Sequence, residues 1–361
     1  MGGECCDVKD CENKATIPFD GEIVMDENND NDDKIEVVHI AHDTKEVDLT
    51  RCRLKKIQNF DFLTNLQFLG LRWNLLTKIE NLQTLSTLKH LELYDNQITK
   101  IEGLDNLVNL EILDISFNRI EKIEGLNNLV NLKQLFLVHN KLKKIEGLDN
   151  LINLEYLELG DNSIEKIENL DNNVKLERLF LGSNEISVIE KIENLDNNVK
   201  LERLFLGSNE ISVIENLDHL ENLEVLSLPA CAIPKLGGVS NLKNLREIYL
   251  NSNGISQIEE LDNNFNLEIL DLNYNRLTKI ENIQHLTKLK EFWARSNKID
   301  DMKNIEELAK LPLLRGIYFQ FNPIFEQPNY HGRILHILPQ IERLDGDFKR
   351  DMIKYKFINE E

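Results

Sequence analysis

Apolar and polar positions follow a unit that returns down most of this chain. Leu88 to Ile98, LKHLELYDNQI, has leucine at its first, fourth and sixth positions, asparagine at its ninth and isoleucine at its eleventh. The ninth position is the easiest to follow. Cys52, Asn74, Asn96, Asn118, Asn140, Asn162 and Asn184 fall 22 residues apart, and the column continues through Asn209, Cys231, Asn253, Asn275, Asn297 and Asn322, which makes thirteen rungs. Apolar residues two apart at positions four and six predict a short strand in each rung. The returns between strands, such as ITKIEGLDNLVN from Ile98 to Asn109, are too short for a long helix and predict turns and 3₁₀ pieces. Ile101, Leu104 and Leu107 keep the inward spacing there.

This is the pattern of a leucine-rich repeat. Each turn buries positions one, four, six and eleven, but no single turn has a core of its own, so stacking supplies one continuous core. An asparagine amide has two donors and an acceptor and can satisfy backbone groups where the chain leaves the strand, whereas a thiol is only a weak donor. Cys52 and Cys231 therefore read as ladder residues. The predicted fold is an α/β repeat solenoid: a leucine-rich-repeat horseshoe with a concave parallel sheet, a 3₁₀ and turn convex side, and a C-terminal cap. Neighbouring strands about 4.8 Å apart give a sheet on the order of 60 Å long.

Departures from the period divide the chain. Residues 1–44 lack sustained periodicity and carry the acidic run DENNDNDD from Asp26 to Asp33, so they are expected to be a disordered leader, with Ile35 to Ile40 as an extra edge strand or a frayed lead-in. Residues 45–322 form the solenoid. Within it residues 191–215 copy residues 166–190 without a change, and the copied unit is 25 residues against a period of 22. Ile189 and Ile192 then compete for one inward slot, and a convex bulge is expected. The identity points to a recent duplication or to an error in the coding sequence. After Asn297 the rung lengthens, with a helix predicted around Ile305 to Leu311. Residues 323–346 read as a cap: Pro323 and Pro328 stop the repeat, Tyr330 to Leu338 forms a short amphipathic helix, and Ile341 and Leu344 cover the last rung. A tail, residues 347–361, follows.

Charge and cysteine usage narrow the function. Lys and Arg number 42 against 63 Asp and Glu, a formal charge of -21, which opposes nucleic-acid and anionic membrane partners and favours a basic one. Neither a membrane span nor a signal peptide is evident, so an intracellular chain with reduced thiols is expected. Cys5, Cys6 and Cys11 lack a metal-ligand spacing. The start Met1-Gly2-Gly3-Glu4-Cys5-Cys6 departs from the myristoylation pattern at residue 6.

Candidate chemistry lies on the concave face, where positions three, five and seven project. From the second rung the fifth position reads Gly70, Glu92, Asp114, Phe136, Glu158, Phe180, Phe205, Ser227, Tyr249, Asp271, Trp293 and Tyr318, with Glu291 beside Trp293 at position three. Exposed aromatics among acids have no folding task and are how protein interfaces concentrate their energy. Catalysis has little to stand on, because an open sheet offers no desolvated cleft to shift the carboxylates and no nucleophile beside a base. His90, His139, His331 and His336 are scattered, Gly237 and Gly238 sit in a convex turn, and no metal or cofactor is expected.

The stretches LEILDIS, LKQLFLV, LEYLELG, LERLFLG and KEFW, in that order across about residues 46–346, resemble the regulatory subunit 7 family of protein phosphatase 1. The resemblance implies a non-catalytic regulator in nucleus and cytoplasm that binds the phosphatase catalytic subunit through the concave face, with a third regulatory subunit able to join. Carried over, the contacts are Asp114, Phe136, Glu158, Phe180, Glu291, Trp293 and Tyr318. The duplication makes Phe205 a second candidate for the place of Phe180 and moves Glu291, Trp293 and Tyr318 one strand farther from the earlier contacts, which is expected to weaken binding. Arg315-Gly316-Ile317-Tyr318-Phe319 matches a phosphatase docking peptide on paper, but Ile317 and Phe319 occupy inward positions. The rival reading is a structural adaptor of another intracellular leucine-rich-repeat family, a ciliary, tubulin or spliceosomal scaffold.

Overall fold

A computed structural model describes residues 21–26, 35–187 and 195–351. The chain divides into two compact units: Met1–Ile164 with Glu168–Leu176, and Glu165–Ile167 with Glu177–Glu361.

The first unit opens with β1 (Gly21–Asp26) and β2 (Ile35–Ile40), which pair antiparallel. The leader is thus not wholly without structure, contrary to expectation. Both segments, GEIVMD and IEVVHI, are rich in β-branched and apolar residues, and a paired strand satisfies backbone groups that neither could satisfy alone. Six three-residue strands then stack in parallel and in sequence order: β3 (Glu46–Asp48), β4 (Phe68–Gly70), β5 (His90–Glu92), β6 (Ile112–Asp114), β7 (Gln134–Phe136) and β8 (Tyr156–Glu158).

The second unit continues with seven more: β9 (Arg178–Phe180), β10 (Arg203–Phe205), β11 (Val225–Ser227), β12 (Glu247–Tyr249), β13 (Ile269–Asp271), β14 (Glu291–Trp293) and β15 (Gly316–Tyr318). One rung gives one strand, so the thirteen ladder positions are matched by β3 to β15. The chain is a parallel-sheet solenoid with few helices. In the lengthened rung α1 (Lys303–Leu308) starts two residues before its expected place.

The asparagines work as their chemistry requires. Asn118 Nδ2 donates to the carbonyls of Leu93, Ile115 and Ser116, and its Oδ1 accepts the Ile98 N–H at 2.9 Å. Cys231 reaches Leu206 O at 3.5 Å and Pro229 O at 3.7 Å, a ladder residue with weaker bonds. Across the duplication the ladder keeps its form: Asn209 Nδ2 donates to Leu181 O at 2.9 Å, and its Oδ1 accepts from the Ile186 N–H at 3.0 Å. The ladder bonds of Asn209 are thus unaffected by the longer unit. The expected bulge and the competition of Ile189 with Ile192 lie outside the described residues.

One substitution inside the core escaped the sequence pattern. Asn173, Asn198 and Asn264 take the place of the leucines at 107, 129 and 151 and are fully buried. Asn264 Nδ2 spends its hydrogens on the carbonyls of Val239 at 3.1 Å and Leu242 at 2.9 Å. The inward space is thus filled by an amide that ties adjacent convex turns, a task leucine cannot perform.

The second unit ends in a cap. A 3₁₀ turn (Pro323–Glu326), α2 (Tyr330–Ile337), β16 (Arg343–Leu344) and β17 (Asp347–Phe348) follow, with β16 parallel to β15 and β17 antiparallel to β16. Ile334, Ile341 and Leu344 are buried. Asp345 clasps the end: its Oδ1 accepts the N–H groups of Phe319 and Gln320, and its Oδ2 accepts the Tyr330 hydroxyl at 3.0 Å. The strand at Asp347–Phe348 extends the cap into residues expected to be tail, because antiparallel pairing covers an edge that would otherwise recruit other chains.

Candidate functional site: the open face of the strands

Each strand sends its middle residue inward and the flanking two to the open face. Leu135, Leu179 and Phe292 are fully buried, while Phe136, Phe180 and Trp293 beside them are only partly covered. The strand register places Asp114 between Glu92 and Phe136, with Glu158 opposite the far side of Phe136. A one-residue slip would have reversed every one of these faces.

In the first unit the acids are held, not merely solvated. Glu92 is buried, receives a hydrogen bond from Arg72, and has His90 Nε2 3.1 Å from its Oε1. Asp114 accepts the Ser116 N–H at 3.0 Å; burial raises its pKa, with the Ser116 hydrogen bonds and the Arg72 charge acting against that. Phe136 lies 4.9 Å from Tyr156, whose hydroxyl donates to Glu158 Oε2 at 3.0 Å. Tyr156 is a position-three residue that the column reading passed over. The sequence signal was present, since positions three and five share a face.

The second unit repeats the scheme with more ring surface. Phe180 and Phe205, the duplicated pair, stack at 4.5 Å and are 5° from parallel. The two candidates for one role are therefore neighbours. Trp293 contacts Tyr318 at 5.8 Å and Tyr249 at 6.3 Å, and its indole N–H donates to Glu291 Oε2 at 3.1 Å. Arg343 of the cap donates to the other oxygen of that carboxylate. A β-carbon at Gly316 would run into Glu291 Oε2, so glycine leaves the space the carboxylate occupies. Tyr249 donates to Glu247 at 2.8 Å, and burial with that carboxylate holds its phenol protonated far above the usual range. Asp271, between Tyr249 and Trp293, is pushed up to about 6 by burial.

The expectation that an open sheet leaves its carboxylates unshifted is thus overturned for Asp114 and Asp271. Burial takes water from both carboxylates and penalises the charged form; Asp271 lies between the rings of Tyr249 and Trp293, while Asp114 has Phe136 on one side and Glu92 on the other. Ile317 and Phe319 are fully buried, so the two apolar docking positions of the peptide-like stretch at 315–319 are core. Among the described residues no cluster of three His, Cys, Asp or Glu could hold a metal ion, and no helix is long and apolar enough to cross a membrane.

With this geometry in hand, the comparisons agree on the class. A two-copy "Leucine Rich repeats" model matches residues 86–128 and 130–172, and a "Leucine-rich repeat" model matches residues 230–357. Among solved structures, an internalin (inlF) of Listeria monocytogenes is similar at 24% identity, TM-score 0.76, over 86% of this chain and 91% of that one. A leucine-rich-repeat protein of Leptospira interrogans is similar at 25% identity, TM-score 0.71, over 85% and 84%. No curated protein matches. The chain belongs to the leucine-rich-repeat proteins, a family of interaction scaffolds, and the matches indicate no catalytic family.

Proposed function

We propose that this chain is a non-catalytic regulatory subunit that binds the catalytic subunit of Ser/Thr protein phosphatase 1 through the open face of its strands, and controls that enzyme's activity, maturation or location in nucleus and cytoplasm. The observation that carries this reading is the column of partly covered rings interleaved with held carboxylates, from Asp114, Phe136 and Glu158 in the first unit to Phe180, Phe205, Glu291, Trp293 and Tyr318 in the second. Rings anchored by a hydrogen bond, as the Trp293 indole is by Glu291, lose little freedom when a partner covers them. The acids suit a partner with basic side chains.

The test is co-purification and calorimetry with the phosphatase catalytic subunit. Glu158→Ala combined with Trp293→Ala should abolish retention, while a convex change such as Lys243→Ala should leave it intact. Deleting residues 191–215 should tighten binding, because it restores the spacing of Glu291, Trp293 and Tyr318 from the earlier contacts. Undiminished binding by the double variant would sink the reading.

A further inference from the structure

A second row of rings runs along the edge of the first unit, at the turn that follows the strand in Trp73, Phe117 and His139 and one residue before that turn in Tyr94. The Arg51 guanidinium lies 4.4 Å from the centre of the Trp73 ring. Trp73 meets Tyr94 edge-on at 5.7 Å, Tyr94 meets Phe117 at 4.8 Å, and Phe117 stacks on His139 at 4.7 Å. His139 Nδ1 is 2.5 Å from Asp161 Oδ2. Six consecutive rungs are linked in this way.

Folding does not ask for these rings. Trp73, Phe117 and His139 hold left-handed backbone at φ 52°, 55° and 53°, a conformation that bulky residues adopt at a cost. In the second unit Ser183, Ser208, Ala230 and Ser252 make the same turn at φ 57°, 57°, 52° and 59°. The backbone bond is common to both: Phe117 N–H donates to Val138 O at 2.7 Å, and Ser208 N–H to Pro229 O at 2.7 Å. Small residues therefore suffice for the turn. Trp73 nonetheless keeps 39% of its surface open.

The charge beside the row is of opposite sign to the chain's. Two residues beyond Arg51, Phe117 and His139 stand Arg53, Arg119 and Lys141, all exposed and without an ion pair among the described residues. On the strand face the acids dominate, so the two surfaces select different partners. Nucleic acid fits the edge poorly. Asp95 interrupts the row and Asp161 ends it, and the neighbouring Lys100 and Lys122 are already engaged by Glu102 and Glu146 at 3.4 Å and 4.0 Å. A phosphate at every step would meet these carboxylates, whereas a chain with a few spaced carboxylates need not.

We propose that this edge, Arg51–Trp73–Tyr94–Phe117–His139 with Arg53, Arg119 and Lys141, is a docking surface for an extended polypeptide whose carboxylates are spaced by apolar or aromatic side chains. From the first rung to the fourth is about 14 Å, which about four residues of extended chain span, so acids four apart would reach Arg53 and Arg119 while the side chains between lie on the rings. The surface meets the strand face at Tyr94, a position-seven residue that is not among the proposed phosphatase contacts, and does not depend on phosphatase binding.

The chain holds two tryptophans, Trp73 on this edge and Trp293 on the strand face, so Trp293→Phe leaves one reporter for the edge. The full chain carrying that change is titrated with a random copolymer of glutamate and tyrosine, followed by Trp73 emission, and the native chain by anisotropy of the labelled copolymer. Saturable binding is expected. It should weaken at least tenfold in Arg119→Glu with Lys141→Glu, which alters no packing, and likewise in Phe117→Ala, while phosphatase retention stays unchanged. Three results would overturn the proposal: no saturable binding, a Phe117→Ala variant that lowers the urea midpoint but keeps its affinity, or tighter binding of polyuridylate than of the copolymer.

Discussion

Leu110 to Asp114 and Leu267 to Asp271 spell the same five residues, LEILD, once in each unit, and both form a rung with a buried leucine and an outward aspartate. Their carboxyl groups nevertheless differ. Asp114 is raised by burial but tempered by the Ser116 N–H, the Ser116 hydroxyl and the charge of Arg72. Asp271, walled by Tyr249 and Trp293, has only the Asn273 N–H to favour its charge and rises to about 6. The local sequence therefore decides the strand and the direction of each side chain. Protonation is decided by residues on neighbouring rungs and by whichever residue stands two places on.

The comparison can be broken most forcefully at its shared part. Leu113 and Leu270 are both fully buried, so Leu113→Ala and Leu270→Ala should each cost about 3 kcal/mol, read from urea unfolding. A difference of more than about 2 kcal/mol would show that equal local sequence does not give equal packing.

The next effect separates the two sites. Because the folded state holds the Asp271 proton more tightly than the unfolded chain, stability falls as pH rises from the ordinary aspartate value of 3.8 through about 6. Asp271→Asn removes that loss, so it should stabilise the chain by about 3 kcal/mol at pH 7 and by little at pH 4. The gain from Asp114→Asn should be smaller, since two hydrogen bonds and Arg72 already favour its charge. Equal gains in urea midpoint at pH 7 would contradict the proposed role of the neighbours.

A gentler probe uses the indole beside Asp271. With Trp73 replaced by Phe, Trp293 emission should titrate with a midpoint near 6, and Asp271→Asn should flatten that curve. Smallest of all, Ser116→Ala should raise the Asp114 pKa further by removing the hydroxyl bond, which carboxyl carbon chemical shifts would follow during a pH titration.

Much of this architecture was legible in the order of residues. The 22-residue return of the ladder located all thirteen strands, and the requirement that solenoid ends be closed located the cap helix and the covering Ile341 and Leu344. What escaped has a common physical cause. Asn173, Asn198 and Asn264 break the leucine column, and the amides of Asn173 and Asn264 satisfy carbonyls one turn away, a partner that only stacking brings near. Tyr156 and Glu158 stand two apart in the sequence, and their hydrogen bond depends on both projecting from one face. Three of the edge rings sit at the turn and Tyr94 one residue before it, and nothing in a single rung shows that Trp73, Tyr94, Phe117 and His139 come into contact.

The sequence by itself determined the rung: which residues enter the core, which amide closes the turn, and which rings and acids share a face, because each follows from spacing within a few residues. The tertiary structure alone decided how those side chains behave. Stacking sets residues about 22 apart within about 5 Å of each other, and at that distance one rung's rings dry the next rung's carboxylate and one rung's amide completes another's backbone.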